Sequence, residues 1–376
     1  MSSSVLILAP RSDLHAAAVC WGLGRNGIDV IWAPSFADTA IGSVSLRAGT
    51  GQPWTFSSPG IRGSLRSVWF RRPQKPRNFP HSRKCDLPCL SREWSEFHDN
   101  LYALHRCDPD VLWVNSPQAA ILTENKLLQL ETASQCGLVF PETLASNDPG
   151  EVRRFIGQHG QVIFKGFATY AWKNRLSGKM HALWTRLINS STVLDDASVR
   201  LCPGIYQQYV EKSADIRVTV VGERAFAMRI SPTKSRALVD WRQHAVTWRN
   251  PALPKAVRAE AVSLPQCLQY KLIRLMRRLG IVFGCIDLAI DADGTAYFLE
   301  VNQGGEFLFA EEMVESLPLL RAMCSLLATG RLDYSLDAIG PLSYLQYRQS
   351  DEYVRWRRDV ASARHEDLRQ RSVILE

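Results

Sequence analysis

Several common protein features are missing from this sequence, and each absence narrows what the chain can be. No run in its 376 residues approaches the roughly 20 consecutive apolar positions that cross a bilayer. The opening stretch, Met1 to Pro10, has too short an apolar run and no basic flank for a secretory signal. A cytoplasmic location is therefore expected. Repeats and low-complexity tracts are absent, as in an ordinary globular protein. The nine cysteines are odd in number and scattered, which favours reduced thiols over a disulfide framework. His81, Cys85 and Cys89, with His98 beyond, come nearest to a zinc site. Their spacings are loose and no second cysteine pair follows, so free thiols in an irregular segment are the preferred reading. The first strand-to-helix turn, Ala9 to Asp13, lacks the glycines of a dinucleotide fingerprint, which disfavours a nicotinamide cofactor.

What is present is an ordinary globular composition, 46% hydrophobic and 22% charged, with a net charge of +8. The charge is uneven. From Glu223 to Arg278 the only acids are Glu223, Asp240 and Glu260, among many more lysines and arginines. Such a surface attracts nucleic acid, nucleotides or acidic peptides alike. No zinc finger, recognition helix or aromatic RNA-binding signature accompanies it, so nucleic acid is not the expected partner. A triphosphate and an acidic substrate suit the charge at least as well.

The length suits two or three subdomains. Residues 1–115 alternate strand and helix: Val5 to Ala9, a helix from Asp13 to Arg25, then Ile28 to Trp32, a βαβ opening of a parallel sheet. Ser67 to Phe70 and Val111 to Val114 are further strands, with a basic, proline-rich loop from Pro73 to Pro88 and a helix near Ser91 to His105. Residues 116–203 form a second unit, with helices at Glu124 to Cys136 and from Asn147 to about Gln158, and a strand Val162 to Lys165. Residues 204–330 form a third. Its strands are Gly204 to Val210, Ile216 to Val221, Ala225 to Ile230, Val282 to Ile290 and Thr295 to Val301, with an amphipathic helix from about Ala259 to Leu279. Residues 331–376 read as a helical tail. The fold class is α/β (α+β).

The segment from Gly284 to Phe307 carries most of the chemistry. Asp287 lies in an apolar strand, and Glu300 and Asn302 in its hairpin partner. Being two apart, Glu300 and Asn302 leave the same face of their strand. If Asp287 pairs across that face, three oxygen donors converge, as Mg²⁺ requires when waters and substrate phosphates complete its shell. The plainer alternative is a pair of solvated carboxylates at a sheet edge. Both acids sit inside apolar runs, where an unpaired charge is costly, so the metal reading is preferred.

An Asp followed thirteen residues on by Glu-x-Asn (300 − 287 = 13) resembles the metal motif of the ATP-grasp ligases. Further landmarks of that family occur in order from the first strand to about Ala328. The resemblance implies a pre-ATP-grasp βαβ domain, and a nucleotide held between a central and a C-terminal subdomain. It implies ATP and Mg²⁺ as cofactors, with both ions held by Asp287, Glu300 and Asn302. Lys126 in Glu-Asn-Lys-Leu and Lys165 in Val-Ile-Phe-Lys are similar to the two nucleotide lysines, whose ammonium groups hold phosphate oxygens. Tyr206 to Lys212 resembles the adenine hinge, with the backbone of Tyr209 and Val210 at the base and the Gln208 side chain nearby. Asp215 matches the residue that takes the ribose hydroxyls. Arg217, Arg229 and Arg242 are candidate catalytic cations for an acyl phosphate or γ-phosphate. The glycine-rich phosphate loop usual after Lys165 is replaced by Phe167 to Lys173.

Within the family, Val68 to Pro73, Asn125 to Leu130, Val139 to Leu144 with Asn147, Lys212 to Arg217, Asp240 to Arg242, and Phe298 to Asn302 resemble the microviridin-type (graspetide) ribosomal peptide maturases, relatives of the RimK-type ligases. That likeness implies side-chain ester or amide links in a precursor peptide with a leader and an acidic core, and often a homodimer. Gly166 to Ile188 would be the hairpin and helix that bind the leader. Addition of a free amino acid to a protein or metabolite is the alternative within the same chemistry.

Overall fold

A computed structural model describes residues 3–373, apart from 37, 39–40, 51, 62, 75–81, 168–170, 174–179, 183–184, 193 and 234–256. The elements in chain order are β1 (Ser4–Leu8), α1 (Leu14–Arg25), β2 (Val30–Ala33), β3 (Ser45–Gly49), β4 (Gln52–Ser57), β5 (Leu65–Phe70), α2 (Leu87–Leu101), β6 (Leu112–Val114), α3 (Pro117–Thr123), α4 (Lys126–Gln135), β7 (Thr143–Ser146), α5 (Pro149–His159), β8 (Gln161–Lys165), β9 (Ala171–Lys173), β10 (Met180–Ala182), β11 (Arg186–Asn189), α6 (Asp196–Leu201), β12 (Gly204–Gln208), β13 (Lys212–Val221), β14 (Arg224–Pro232), β15 (Val257–Val262), α7 (Gln266–Leu279), β16 (Phe283–Asp291), β17 (Ala296–Asn302), α8 (Leu308–Met313), α9 (Leu319–Thr329), α10 (Tyr344–Arg348) and α11 (Asp351–Val373). None of the described helices is long and apolar enough to cross a membrane.

Three sheets organise the chain. The first is parallel, in the order β2-β1-β5-β6. Its β1 is buried along its whole length, as parallel strands covered on both faces must be. The βαβ opening expected from the sequence is present, while the hairpin β3–β4 was not anticipated. Pro88, expected to lie in a loop, instead sits in the first turn of α2, where its missing N–H breaks no helical bond.

The second sheet is antiparallel, in the order β11-β8-β12-β7. One face packs Val162, Ile188 and Tyr206 against Val152, Phe155 and Ile156 of α5. β12, expected to open the third unit, belongs here: it pairs with β7 and β8 over Gly204 to Gln208. The segment expected to bind a leader contains the short hairpin β9–β10, and its last residues join the second sheet as β11.

The third sheet has five antiparallel strands, in the order β15-β14-β13-β16-β17. The helix expected from Ala259 is two elements. Val257 to Val262 pairs with β14 as a strand, and the helix starts only after Pro265. Local helical preference at Ala259 to Val262 yields to ladder pairing on an open edge. Proline then disfavours helical geometry in Leu264 and sets the N-terminus. Leu272, Leu275 and Met276 of α7 pack on Val218, Val220, Ile286 and Leu288. On the other side a larger cluster joins β1 and α1 to α9, and includes Tyr344 and Tyr347 of the tail. The Trp356 indole of α11 donates to the Arg11 carbonyl at 2.9 Å.

Candidate active site

The chemistry lies on the face of the third sheet turned away from α7. Side chains alternate along a strand, so β13 sends Ile216, Val218 and Val220 into the apolar core and Asp215, Arg217 and Thr219 to the other side. Asp287 on β16 stands opposite Arg217 on one neighbour and opposite Glu300 on the other. A bulge between Asp287 and Leu288 makes this possible, because Leu288 pairs with Phe298 and leaves Leu299 as the extra residue. Phe298 and Val301 therefore both enter the core although they are three apart. Without the bulge, Leu299 would face Asp287 in place of Glu300.

The polar groups on this face are tightly linked. Arg217 donates through Nη1 to Asp287 Oδ1 at 2.7 Å and through Nη2 to the Glu306 carbonyl at 3.1 Å. Burial works against the Arg217 charge, but Asp287, with Cys285 and Glu300, outweighs it and holds the guanidinium pKa above its usual value. Lys126, the first residue of α4, donates to Glu300 Oε2 at 3.0 Å, and Asn302 Nδ2 donates to Glu300 Oε1 at 3.2 Å. Asn125, expected inside that helix, caps it by accepting from the N–H groups of Leu127 and Leu128.

Two carboxylates and one amide thus meet on a single half-buried face, with an ammonium beside them. No trio drawn from His, Cys, Asp and Glu gathers into a metal cluster among the described residues. The donor set is purely oxygen once the Asn302 amide nitrogen is turned to Glu300. That suits a hard cation whose remaining ligands are waters and phosphates, and does not suit zinc.

The second sheet carries a different set. Lys165, at the end of β8, donates to Gln207 Oε1 at 2.7 Å, and Gln207 Nε2 donates to Thr143 Oγ1 at 2.9 Å. Gln207, only 3% exposed, is the β12 glutamine on the lysine's face. Gln208, singled out by sequence, is exposed and shares the opposite face with Val162. At the end of β12, the Gln208 and Tyr209 N–H groups bond to the carbonyls of Glu142 and Gln161. Gln208 to Ser213, with Asp291 to Asp293 and Tyr297, line a cleft of about 470 Å³. Lys212 donates to Asp215 Oδ1 at 2.7 Å beside it.

One expected cation stands elsewhere. Arg229 pairs with Ile216 rather than Arg217, which puts it on the α7 face, where it donates to Ser231. Period-two alternation carries it away from the cluster, so the sequence expectation for Arg229 is corrected. Arg242, with Asp240 and Trp241, lies outside the described residues. So does His81, while Cys85 and Cys89 are exposed and His98 packs between Phe36 and Tyr102.

Sequence reasoning missed Gln207 and three other structural supports of the site. Gln129 donates to the Val301 carbonyl and accepts from the Val301 N–H, both at 2.9 Å, fixing the strand between Glu300 and Asn302. Asn115 accepts from the N–H groups of Val282 and Phe283 and donates to the Gln303 carbonyl. Arg71 is fully buried and paired with Asp13. The available signal was a lone amide or cation inside an apolar stretch, which must find a partner when buried.

No family model matches the chain, and no curated protein does. Solved structures do. A RiPP-associated ATP-grasp ligase from Chryseobacterium gregarium, in complex with ADP and a leader and core peptide, superposes with a TM-score of 0.72 at 22% identity, over 89% of this chain and 99% of that one. The macrocyclase MdnC from Microcystis aeruginosa MRC, bound with precursor peptide MdnA, gives 0.67 at 20%, over 86% and 99%. The ATP-grasp ligase PsnB, complexed with a minimal precursor, Mg and ADP, gives 0.65 at 21%, over 87% and 98%. The chain has the ATP-grasp fold.

Proposed function

We propose that this protein is an ATP-dependent carboxylate ligase that forms side-chain ester or amide links in a ribosomally made peptide through an acyl phosphate. The observation that carries the reading is the bulged pairing that sets Asp287 beside both Arg217 and Glu300, with Asn302 and Lys126 in contact with Glu300. The peptide substrate is supported by the fold neighbours, which were solved with precursor peptides.

ATP is the phosphoryl donor. Its adenine edge meets the hinge, where the Gln208 and Tyr209 N–H groups are already bonded. That leaves the Val210 N–H and the hinge carbonyls as its partners. Asp215 takes the ribose hydroxyls, and Lys126 and Lys165 turn from Glu300 and Gln207 to phosphate oxygens. Asp287, Glu300 and Asn302 would hold Mg²⁺, which would supply charge neutralisation for phosphoryl transfer. A substrate carboxylate oxygen attacks the γ-phosphorus and ADP leaves. A serine or threonine hydroxyl, or a lysine amine, then attacks the acyl carbon, loses its proton, and phosphate departs with the bonding electrons. Arg217 is a fixed cation beside the developing charge, of the kind that stabilises a transition state without reorganisation.

Incubation with ATP, Mg²⁺ and peptides bearing Asp or Glu together with Ser, Thr or Lys tests the reading by mass spectrometry. Loss of one water per link with equal ADP release is the expected result. A mass gain of one amino-acid residue would instead assign free amino acids as the acceptor, and ADP-free turnover would overturn ligation.

A further inference from the structure

Three consecutive carbonyls follow the metal strand, and each is held by an arginine. Gly304 accepts from Arg72 Nη2 at 3.0 Å, Gly305 from Arg71 Nη1 at 3.2 Å, and Glu306 from Arg217 Nη2 at 3.1 Å. Arg71 and Arg72 come from the end of β5 in the first sheet, whereas Arg217 comes from the third. Close approach requires glycine at 305, where a Cβ would lie 2.8 Å from Cys285 Cβ, and leaves little room at Gly304, where a Cβ would lie 3.2 Å from the Arg71 carbonyl oxygen. The turn is closed by the Gly305 N–H on the Asn302 carbonyl at 3.1 Å.

Arg71 is the unusual member. Its side chain has no exposure, its Nε donates to both carboxylate oxygens of Asp13 at 2.8 and 2.9 Å, and its guanidinium lies 5.2 Å from the Trp69 ring centroid. Asp13 in turn caps α1 by accepting from the Ala16 N–H at 2.9 Å. Arg71 Nη2 is buried with no hydrogen-bond partner. A buried ion pair is weak support for stability compared with an apolar pair of the same shape, and an unsatisfied donor is a further cost. Folding stability alone is thus a weak account of this buried charge.

We propose that Arg71, with Asp13 as its counter-charge, is a positioning residue: it fixes the Gly304–Glu306 segment so that the Glu306 carbonyl aims Arg217 at Asp287. The inference rests on the ligase reading above for its catalytic consequence, but the placement of the loop can be measured without any turnover. Arg71 has no exposed side-chain surface with which to meet a substrate. Its influence passes through one backbone segment to Arg217 and couples the first sheet to the metal face.

Arg71→Lys keeps the charge but lacks the planar fork that reaches Asp13 and Gly305 together. Hydrogen exchange at Gln303 to Phe307 should quicken in this variant. Link formation should slow by about a hundredfold, as expected for a reacting group misplaced by about 1 Å, with KM for ATP unchanged and more ADP released per link. The double variant Arg71→Met with Asp13→Asn removes both buried charges, and serves the same measurements should the single variant not fold. Unchanged exchange in the segment would overturn the proposal, as would ADP release and link formation falling in parallel. A wild-type protein that turns over no ATP would remove the ligase reading, while the exchange comparison would still decide whether Arg71 places the loop.

Discussion

The two faces of the third sheet are made from the same strands and do opposite work. Toward α7, β13 and β16 present Ile216, Val218, Val220, Ile286 and Leu288, packed into a dry core. On the opposite face the same strands present Asp215, Arg217, Asp287 and their partners. A register slip of one residue would exchange the two sets, so the apolar face specifies where the charges stand. Arg217 and Arg229 make the point on adjacent strands. One pairs with Asp287 and the other, out of phase by one position, lies on the helix-covered side.

The strongest way to break this contrast is at the carboxylates. Asp287→Asn and Glu300→Gln should each lower link formation by about a thousandfold or more, the scale of losing a group that offsets transition-state charge, as read in an ADP-release assay. They should differ in stability. Asp287→Asn leaves Arg217 buried without its counter-charge and should cost about 3–5 kcal/mol in chemical denaturation, whereas Glu300→Gln should fold nearly as the wild type. Arg217→Met should show a similar stability loss for the same reason, with ATP binding retained.

A second contrast sets Asp287 against Glu311, a buried acid whose partners are the N–H groups of Leu320 at 2.7 Å and Tyr344 at 2.6 Å. Burial raises the Glu311 pKa to about 7, against the pull of those N–H groups. The folded state then holds a proton that the unfolded chain has released. Stability from this group is fully present below the ordinary carboxylate pKa and is lost as pH rises through about 7. A fall on the order of 3 kcal/mol across that window is expected, and Glu311→Gln should flatten it in a pH series of melting curves. The smallest effect belongs to Arg229→Met, which should change stability by less than about 0.5 kcal/mol and leave turnover unaltered. A large loss of activity there would show that the two faces are not separated as described.

Much of this was legible in the sequence. That Asp287, Glu300 and Asn302 share one face was expected from period-two alternation and the hairpin at Asp291 to Gly294, and the structure pairs Asp287 with Glu300. The first βαβ unit followed from short apolar runs with a closing Asn-Gly. Other features were hidden because they depend on pairing rather than pattern. The bulge at Leu299 has no composition signal, yet it decides which residue faces Asp287. Gln207 and Gln208 are chemically identical, and only the register against Ile163 and Val162 tells which one shares a face with Lys165. Val257 to Val262 reads as helix until an edge strand is there to accept it. Arg71 stands in a stretch quoted for its resemblance, but its partner Asp13 lies 58 residues away.

The central claim is that the polar face of the third sheet activates a carboxylate as an acyl phosphate. Peptide substrate labelled with oxygen-18 in its Asp or Glu carboxylates tests it most directly, with the released phosphate analysed after ligation. One labelled oxygen should appear in phosphate for each link formed by the wild-type protein, and none in Glu300→Gln. Links formed with unlabelled phosphate, or labelled phosphate from Glu300→Gln at the wild-type rate, would contradict the account.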